Sequence, residues 1–222
     1  MNKIYYIPVW TKFDSLVPET KFEEDDYSYH QCPVWKHKAN RTFVAIAPFD
    51  FEFSLDLEND KIIYDEVEGY SPNPLFCDDY ELQTKHAIIQ IKFPIYHFWT
   101  HDEVENLWFE QLDHPLTSLN NNFIVIGGWW NLVDYPRAVS VAIKVIDKNK
   151  KITIKKGDPL YRVRFYPEDL NSGIKLIQKD SIPLRINKLR ALNKPSESTR
   201  STLNKRLFSK RSKCPIKNYF NI

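Results

Sequence analysis

Glycine, cysteine and methionine are all scarce in this chain: 222 residues hold five, three and one of them. Cys32, Cys77 and Cys214 form no Cys-x-x-Cys pair, and an odd number argues against a disulfide framework. No stretch approaches the roughly 20 apolar residues that span a bilayer. The start, MNKIYYIPVWTKF, has no apolar run leading to a small-residue cleavage site. A reduced cytoplasm is therefore the expected setting, with no membrane partner. A P-loop, a G-x-G-x-x-G turn and a G-x-S-x-G elbow are also missing, and no cofactor is expected.

What the chain has instead is proline and aromatic residues. Fourteen prolines, among them Pro33, Pro48, Pro94, Pro115, Pro136, Pro159 and Pro167, interrupt the chain too often for long helices, because proline lacks an N–H and clashes with the preceding turn. An aromatic content of 14% within 42% hydrophobic residues supports a real core. Short strands separated by turns satisfy both facts, so the expected class is mainly β.

Alternation locates the strands. In residues 43–55 (FVAIAPFDFEFSL), Phe49, Phe51, Phe53 and Leu55 point one way, with Asp50, Glu52 and Ser54 opposite. Residues 87–93 (AIIQIKF) and 106–112 (NLWFEQL) are further strands, whereas 57–86, rich in Asp, Glu, Tyr and Pro, reads as loop. Val139, Val141, Ile143 and Val145 share one face of a longer strand. After the DKNKK turn, residues 152–155 return briefly and Lys156-Gly157-Asp158-Pro159 makes a tight corner. In the last strand Tyr161, Val163 and Phe165 face inward and Arg162, Arg164 and Tyr166 face the other side.

Charge divides the chain. Residues 171–222 carry thirteen Lys and Arg against only Asp180 and Glu197, a net of +11, which leaves −9 on residues 1–170 of a chain whose total is +2. The expected organisation is an N-terminal segment (1–29), a β-rich body (30–170) and a basic C-terminal arm (171–222). Within the arm, residues 174–192 suit an extended segment followed by a short helix, and 193–204 (NKPSESTRSTLN) reads as a linker. Such an arm either binds its own or a neighbouring acidic body, giving a homo-oligomer, or binds nucleic acid through counterion release.

Two resemblances bear on the body. Cys32-Pro33, Asn40, residues 48–52, Asn106-Leu107-Trp108, Pro115-Leu116 and Lys156-Gly157-Asp158-Pro159 together resemble an uncharacterised bacterial and phage domain family across roughly residues 30–170. That likeness implies a fold and no activity. An Asn-, Lys- and Ile-rich composition fits an AT-rich phage genome, which would make the host cytoplasm the setting. Residues 152–163 (ITIKKGDPLYRV) are similar in rhythm to a segment of dUTPases and dCTP deaminases. This second likeness implies a β-clip-like body in place of a plain β-sandwich. The aspartate that activates water in dUTPases has no counterpart at Ile126-Gly127-Gly128-Trp129-Trp130-Asn131, since Asp134 falls late, and no G-R-S-S phosphate element occurs.

Three groups of side chains could carry function. His97, His101 and His114, with Asp102 and Glu105 nearby, could hold a divalent metal, because His97 and His101 share a face in either a helix or a strand; a surface hydrogen-bonding role is the plainer alternative. Arg137, Arg162 and Arg164 could form an anion or nucleotide site, or pair with carboxylates across strands. Trp129 and Trp130, beside adjacent glycines, could stack on a ligand or fill the core or an interface. The preferred reading is a non-enzymatic binding or assembly protein that oligomerises through its basic arm. The alternatives are a nucleotide-binding or nucleotide-hydrolysing protein of dUTPase-like fold, using Arg162, Arg164 and Asp134, and a metal-dependent enzyme using the three histidines.

Overall fold

Period-two alternation accounts for most of the architecture. The computed structural model describes residues 1–9, 16–22, 32–65, 82–83, 86–101, 104, 106–133 and 138–192. The chain is mainly β, with two five-stranded sheets, a three-stranded sheet and four short helices among the described residues. In the first sheet the order is β13 (Ile174–Gln178), β1 (Asn2–Val9), β6 (Ile88–Trp99), β10 (Ala138–Val145) and β8 (Phe123–Ile126). In the second it is β2 (Leu16–Pro18), β3 (Thr42–Ile46), β12 (Pro159–Pro167), β7 (Leu107–Asp113) and β9 (Gly128–Asn131). The third holds β11 (Ile152–Ile154), β4 (Phe51–Asp56) and β5 (Lys61–Tyr64). Helices α1 (Glu19–Phe22), α2 (Pro33–Ala39), α3 (Pro115–Asn120) and α4 (Leu184–Leu192) lie between or after strands. No helix among the described residues is long and apolar enough to cross a membrane.

One apolar core joins the three sheets. Phe98 of the first sheet meets Phe109 and Phe165 of the second at 5.3 and 5.4 Å between ring centroids. Phe51 of the third meets Phe93 of the first edge-on at 4.9 Å. Burying rings of this size contributes roughly 2 kcal/mol each. Tyr161, fully buried in β12, satisfies its hydroxyl by donating to the Pro94 carbonyl of β6 at 2.7 Å. The expected inward residues of the last strand, Tyr161, Val163 and Phe165, are all 0% exposed.

Several expectations need correction. Residues 43–55 are two strands in different sheets, β3 and β4, because the chain bends at 47–50, where the Ala47 N–H donates to the Asp158 carbonyl. Residues 57–86 include the strand β5, which forms a hairpin with β4 around Asp60, a residue with φ of 52°. The strand expected to end at Phe93 continues through Pro94 to Trp99. It can do so because its pairing with β10 is irregular here: Val141 lies opposite Ile91 and Val139 opposite Tyr96, which leaves Pro94 without a ladder N–H to supply.

β1 lies between β13 and β6, pairing parallel with the first and antiparallel with the second. Residues 174–192 do run as a strand and then a helix, and both pack on the body.

Candidate binding surfaces

Alternation in β12 sends Arg162, Arg164 and Tyr166 to the outer face of the second sheet. There Arg164 lies opposite Thr42 of β3 and Glu110 of β7, and Tyr166 lies opposite Trp108. The Arg164 Nε donates to the Thr42 hydroxyl at 2.9 Å, and its Nη1 is 3.7 Å from a Glu110 carboxylate oxygen. The Tyr166 hydroxyl donates to that same carboxylate. Burial, reinforced by this bond, pushes the Tyr166 phenol up. Arg162 donates from Nε to the Asp113 carbonyl and from Nη1 to Glu19 of α1, both at 3.0 Å. That ion pair is well covered, with the Glu19 side chain 4% exposed.

Helix α2 brings two more cations to this face. The Arg41 guanidinium, just after α2, sits 5.9 Å from the centre of the Tyr166 ring. Burial, then the neighbouring Arg164 and Arg162, hold the Lys38 ammonium below its ordinary range. The sequence reading missed Glu19, Lys38, Arg41 and Glu110 here. Period-two alternation in 107–113 would have found Glu110; nothing local points to the others. Arg137 and Asp134 lie outside the described residues.

The two tryptophans go to opposite faces of β9. Trp129 stacks on Trp108 at 4.7 Å and meets Tyr166 edge-on at 6.4 Å, on the outer face. Trp130 packs on Phe109 at 4.5 Å, against the core. Both are half-buried. The chain crosses from β8 in the first sheet to β9 in the second at Gly127.

The three histidines occupy separate environments. His97 is fully buried in β6, edge-on to Trp99 at 5.8 Å. His101 is exposed beyond β6 and meets the Tyr5 ring at 4.6 Å. His114 precedes α3, and its Nδ1 accepts from the Leu116 N–H at 3.3 Å. Burial, aided by Arg162, lowers the His114 pKa to about 4. Among the described residues no three His, Cys, Asp or Glu side chains are grouped so as to hold a metal ion; Asp102 and Glu105 lie outside them. Cys32 is exposed at the start of α2 and unbridged, and Cys77 and Cys214 lie outside the described residues.

Among the described residues, the outer face of the first sheet is covered at one end. Ile186 of α4 packs on Tyr5 and Trp99, with Ile7, Ile177 and Ile182 around them. At the other end Ile124 and Ile126 of β8 are 40% and 39% exposed, and Ile146, just past β10, is 49% exposed. Ile124 is paired with Lys144 and Ile126 with Ala142, which puts the three isoleucines on one face.

No protein-family model matches the chain, and no curated protein matches it by sequence. Among solved structures, it is similar to the dUTPase of EIAV at 12% identity and a TM-score of 0.35, covering 81% of this chain and 99% of that one. A dUTPase from phage phi11 of S. aureus is similar at 9% identity and 0.34, covering 75% and 96%. The dUTPase of Staphylococcus bacteriophage 80alpha is similar at 10% and 0.33, covering 79% and 94%. Likeness at these identities and scores assigns neither an activity nor site residues to this chain.

Proposed function

We propose that the chain is a non-enzymatic binding and assembly protein whose copies associate through the basic residues that follow α4. The observation that supports this reading best is the unequal cover of one sheet face. Helix α4 closes the Tyr5–Trp99 end, while Ile124, Ile126 and Ile146 stand exposed at the other. Aliphatic side chains grouped on an open sheet face favour contact with another surface. Charge adds direction: residues 193–222 hold eight Lys and Arg against Glu197, whereas residues 1–170 are net negative. Opposite fields of this kind steer one surface onto another and suppress wrong pairings. Leu207-Phe208 and Tyr219-Phe220 supply apolar side chains within the same basic segment.

Size-exclusion chromatography with light scattering tests the reading on the full chain and on a chain ending at Leu192. The expected result is a multiple of 26.4 kDa for the full chain and a single-chain mass for the shortened one. Equal masses for the two would overturn it. Loss of the assembly on nuclease treatment would point to nucleic acid as the partner of the basic segment instead.

A further inference from the structure

Negative charge on the body is concentrated in one stretch. Residues 56–65, around the β4–β5 hairpin, hold Asp56, Glu58, Asp60 and Asp65 against Lys61, and residues 66–81 add five carboxylates with no Lys or Arg. The resulting net of −8 over residues 56–81 is nearly all of the −9 on residues 1–170. Residues 66–81 lie outside the described residues, but both of their flanks are at the hairpin. Asp65 directly follows β5, and Gln83 donates from Nε2 to the Leu57 carbonyl of the hairpin loop at 2.8 Å. Of the lysines nearby, Lys61 stands opposite Asp56, Lys151 pairs with Glu52, and Lys155 with Asp50.

An apolar side chain stands within this field. Phe53 and Tyr64, paired across the hairpin, pack toward the core, so the next pair, Ser54 and Ile63, faces outward. Ile63 is 56% exposed, on a strand that has β4 as its one partner among the described residues. The isoleucine face of the first sheet differs in charge: Lys144 lies opposite Ile124, and Asp147, next to Ile146, is paired with Lys150. That face suits apolar contact but not a basic segment. Residues 205–213 (KRLFSKRSK) hold five cations, no carboxylate and the pair Leu207-Phe208. They are an apolar centre with positive flanks, the complement of Ile63 with Glu58 and Asp65 about it. Single exposed ion pairs contribute little, but several acting together around a desolvated apolar contact give both register and affinity.

We infer that residues 205–213 of one copy dock on the outer face of the β4–β5 hairpin of a second copy, with Leu207-Phe208 against Ile63 and the flanking Lys and Arg opposite Glu58 and Asp65. This docking presupposes the assembly read above from the basic residues after α4, and it gives that assembly its receiving surface. The charged rim of the contact is exposed, so added salt weakens it by screening.

Light scattering over a dilution series, on the full chain and on full-length variants, tests this. Glu58→Lys with Asp65→Lys is expected to weaken self-association about tenfold, and Ile63→Ser about threefold. All three positions are exposed, so these variants should melt as the parent does. Reversing the tail, by Lys205→Glu, Arg206→Glu, Lys210→Glu and Arg211→Glu, should weaken association at least as much as reversing the hairpin. The two reversed proteins are then mixed at a concentration where each alone is a single chain. The mixture should regain a multimeric mass, because the unaltered tail of one meets the unaltered hairpin of the other. A mixture that stays single-chain overturns docking on a second copy. If the full chain assembles and ending it at Leu192 abolishes assembly, while the hairpin variants keep the parental dissociation constant, the assembly reading stands and this surface is wrong. A full chain of single-chain mass at every concentration removes both.

Discussion

Gly127 lies against the backbone of Gln111 so closely that a β carbon on it would overlap the Gln111 carbonyl oxygen, with the carbonyl carbon at 3.2 Å. The obstacle is backbone in the middle of β7, which cannot swing aside as a side chain would. Gly127→Ala is therefore expected to destabilise the fold by about 3 kcal/mol, as overpacking against fixed neighbours does. Urea unfolding of the variant measures this, and a loss under half of that figure would mean that the crossing between the sheets relaxes.

Gly157 provides the contrast. Its φ is +93°, which disfavours any L side chain, yet nothing lies within 4 Å of the position of a β carbon. Here the cost is conformational and not steric, so Gly157→Ala should lose only about 1 kcal/mol. The ranking of these two variants by denaturation midpoint is the check.

Breaking the Glu19–Arg162 pair should be costly, since the Glu19 side chain is 4% exposed. Glu19→Ala leaves a largely buried guanidinium without its carboxylate and is expected to cost ~3 kcal/mol. Replacing both members with apolar residues, Glu19→Leu with Arg162→Met, should cost less than Glu19→Ala alone. A double variant less stable than the single one would contradict this account of the pair.

His114 makes stability depend on pH. Its folded-state pKa is lowered from 6.5 to about 4, so between those values the unfolded chain binds more protons than the folded one. Stability from this group is complete above about pH 6.5 and is lost as the pH falls toward 4. Protonation at Nδ1 would also end its acceptance of the Leu116 N–H at the start of α3. His114→Asn is expected to flatten the stability profile across this window, as measured by denaturant unfolding at a series of pH values.

Where the chain is shortened matters. Ending it at Asp169 removes β13, which pairs with β1, and Ile186, which seals Tyr5 and Trp99. Ending it at Leu192 leaves these contacts in place. Thermal melts followed by circular dichroism should show a lower midpoint for the chain ending at Asp169 than for the one ending at Leu192.

The strands were legible wherever apolar residues alternate with polar ones. Phe51 and Phe53 alternate with Glu52 and Ser54, and Val163 and Phe165 with Arg162 and Arg164, just as the sheets require. Legibility failed where the partner is distant or irregular. Nothing in residues 2–9 announces a parallel partner at 174–178, and no local pattern shows that the strand at 88–99 continues past Pro94. Of the outer-face cluster, the parity of Arg162 and Arg164 was readable, but Glu19 reaches it from α1 and Arg41 from the residues just after α2, which only the folded chain places there.

The sequence by itself determined a mainly β chain, the inward residues of its regular strands, the Gly157 corner and the division between acidic body and basic tail. These follow from period, turn geometry and charge, which act over a few residues or by simple summation. The tertiary structure alone decided that the first strand and residues 174–178 share a sheet, that Trp129 and Trp130 part to opposite faces, and that Arg162 pairs with Glu19 and Arg164 with Glu110. Those outcomes depend on which surfaces exclude water together, and that is a property of the packed chain.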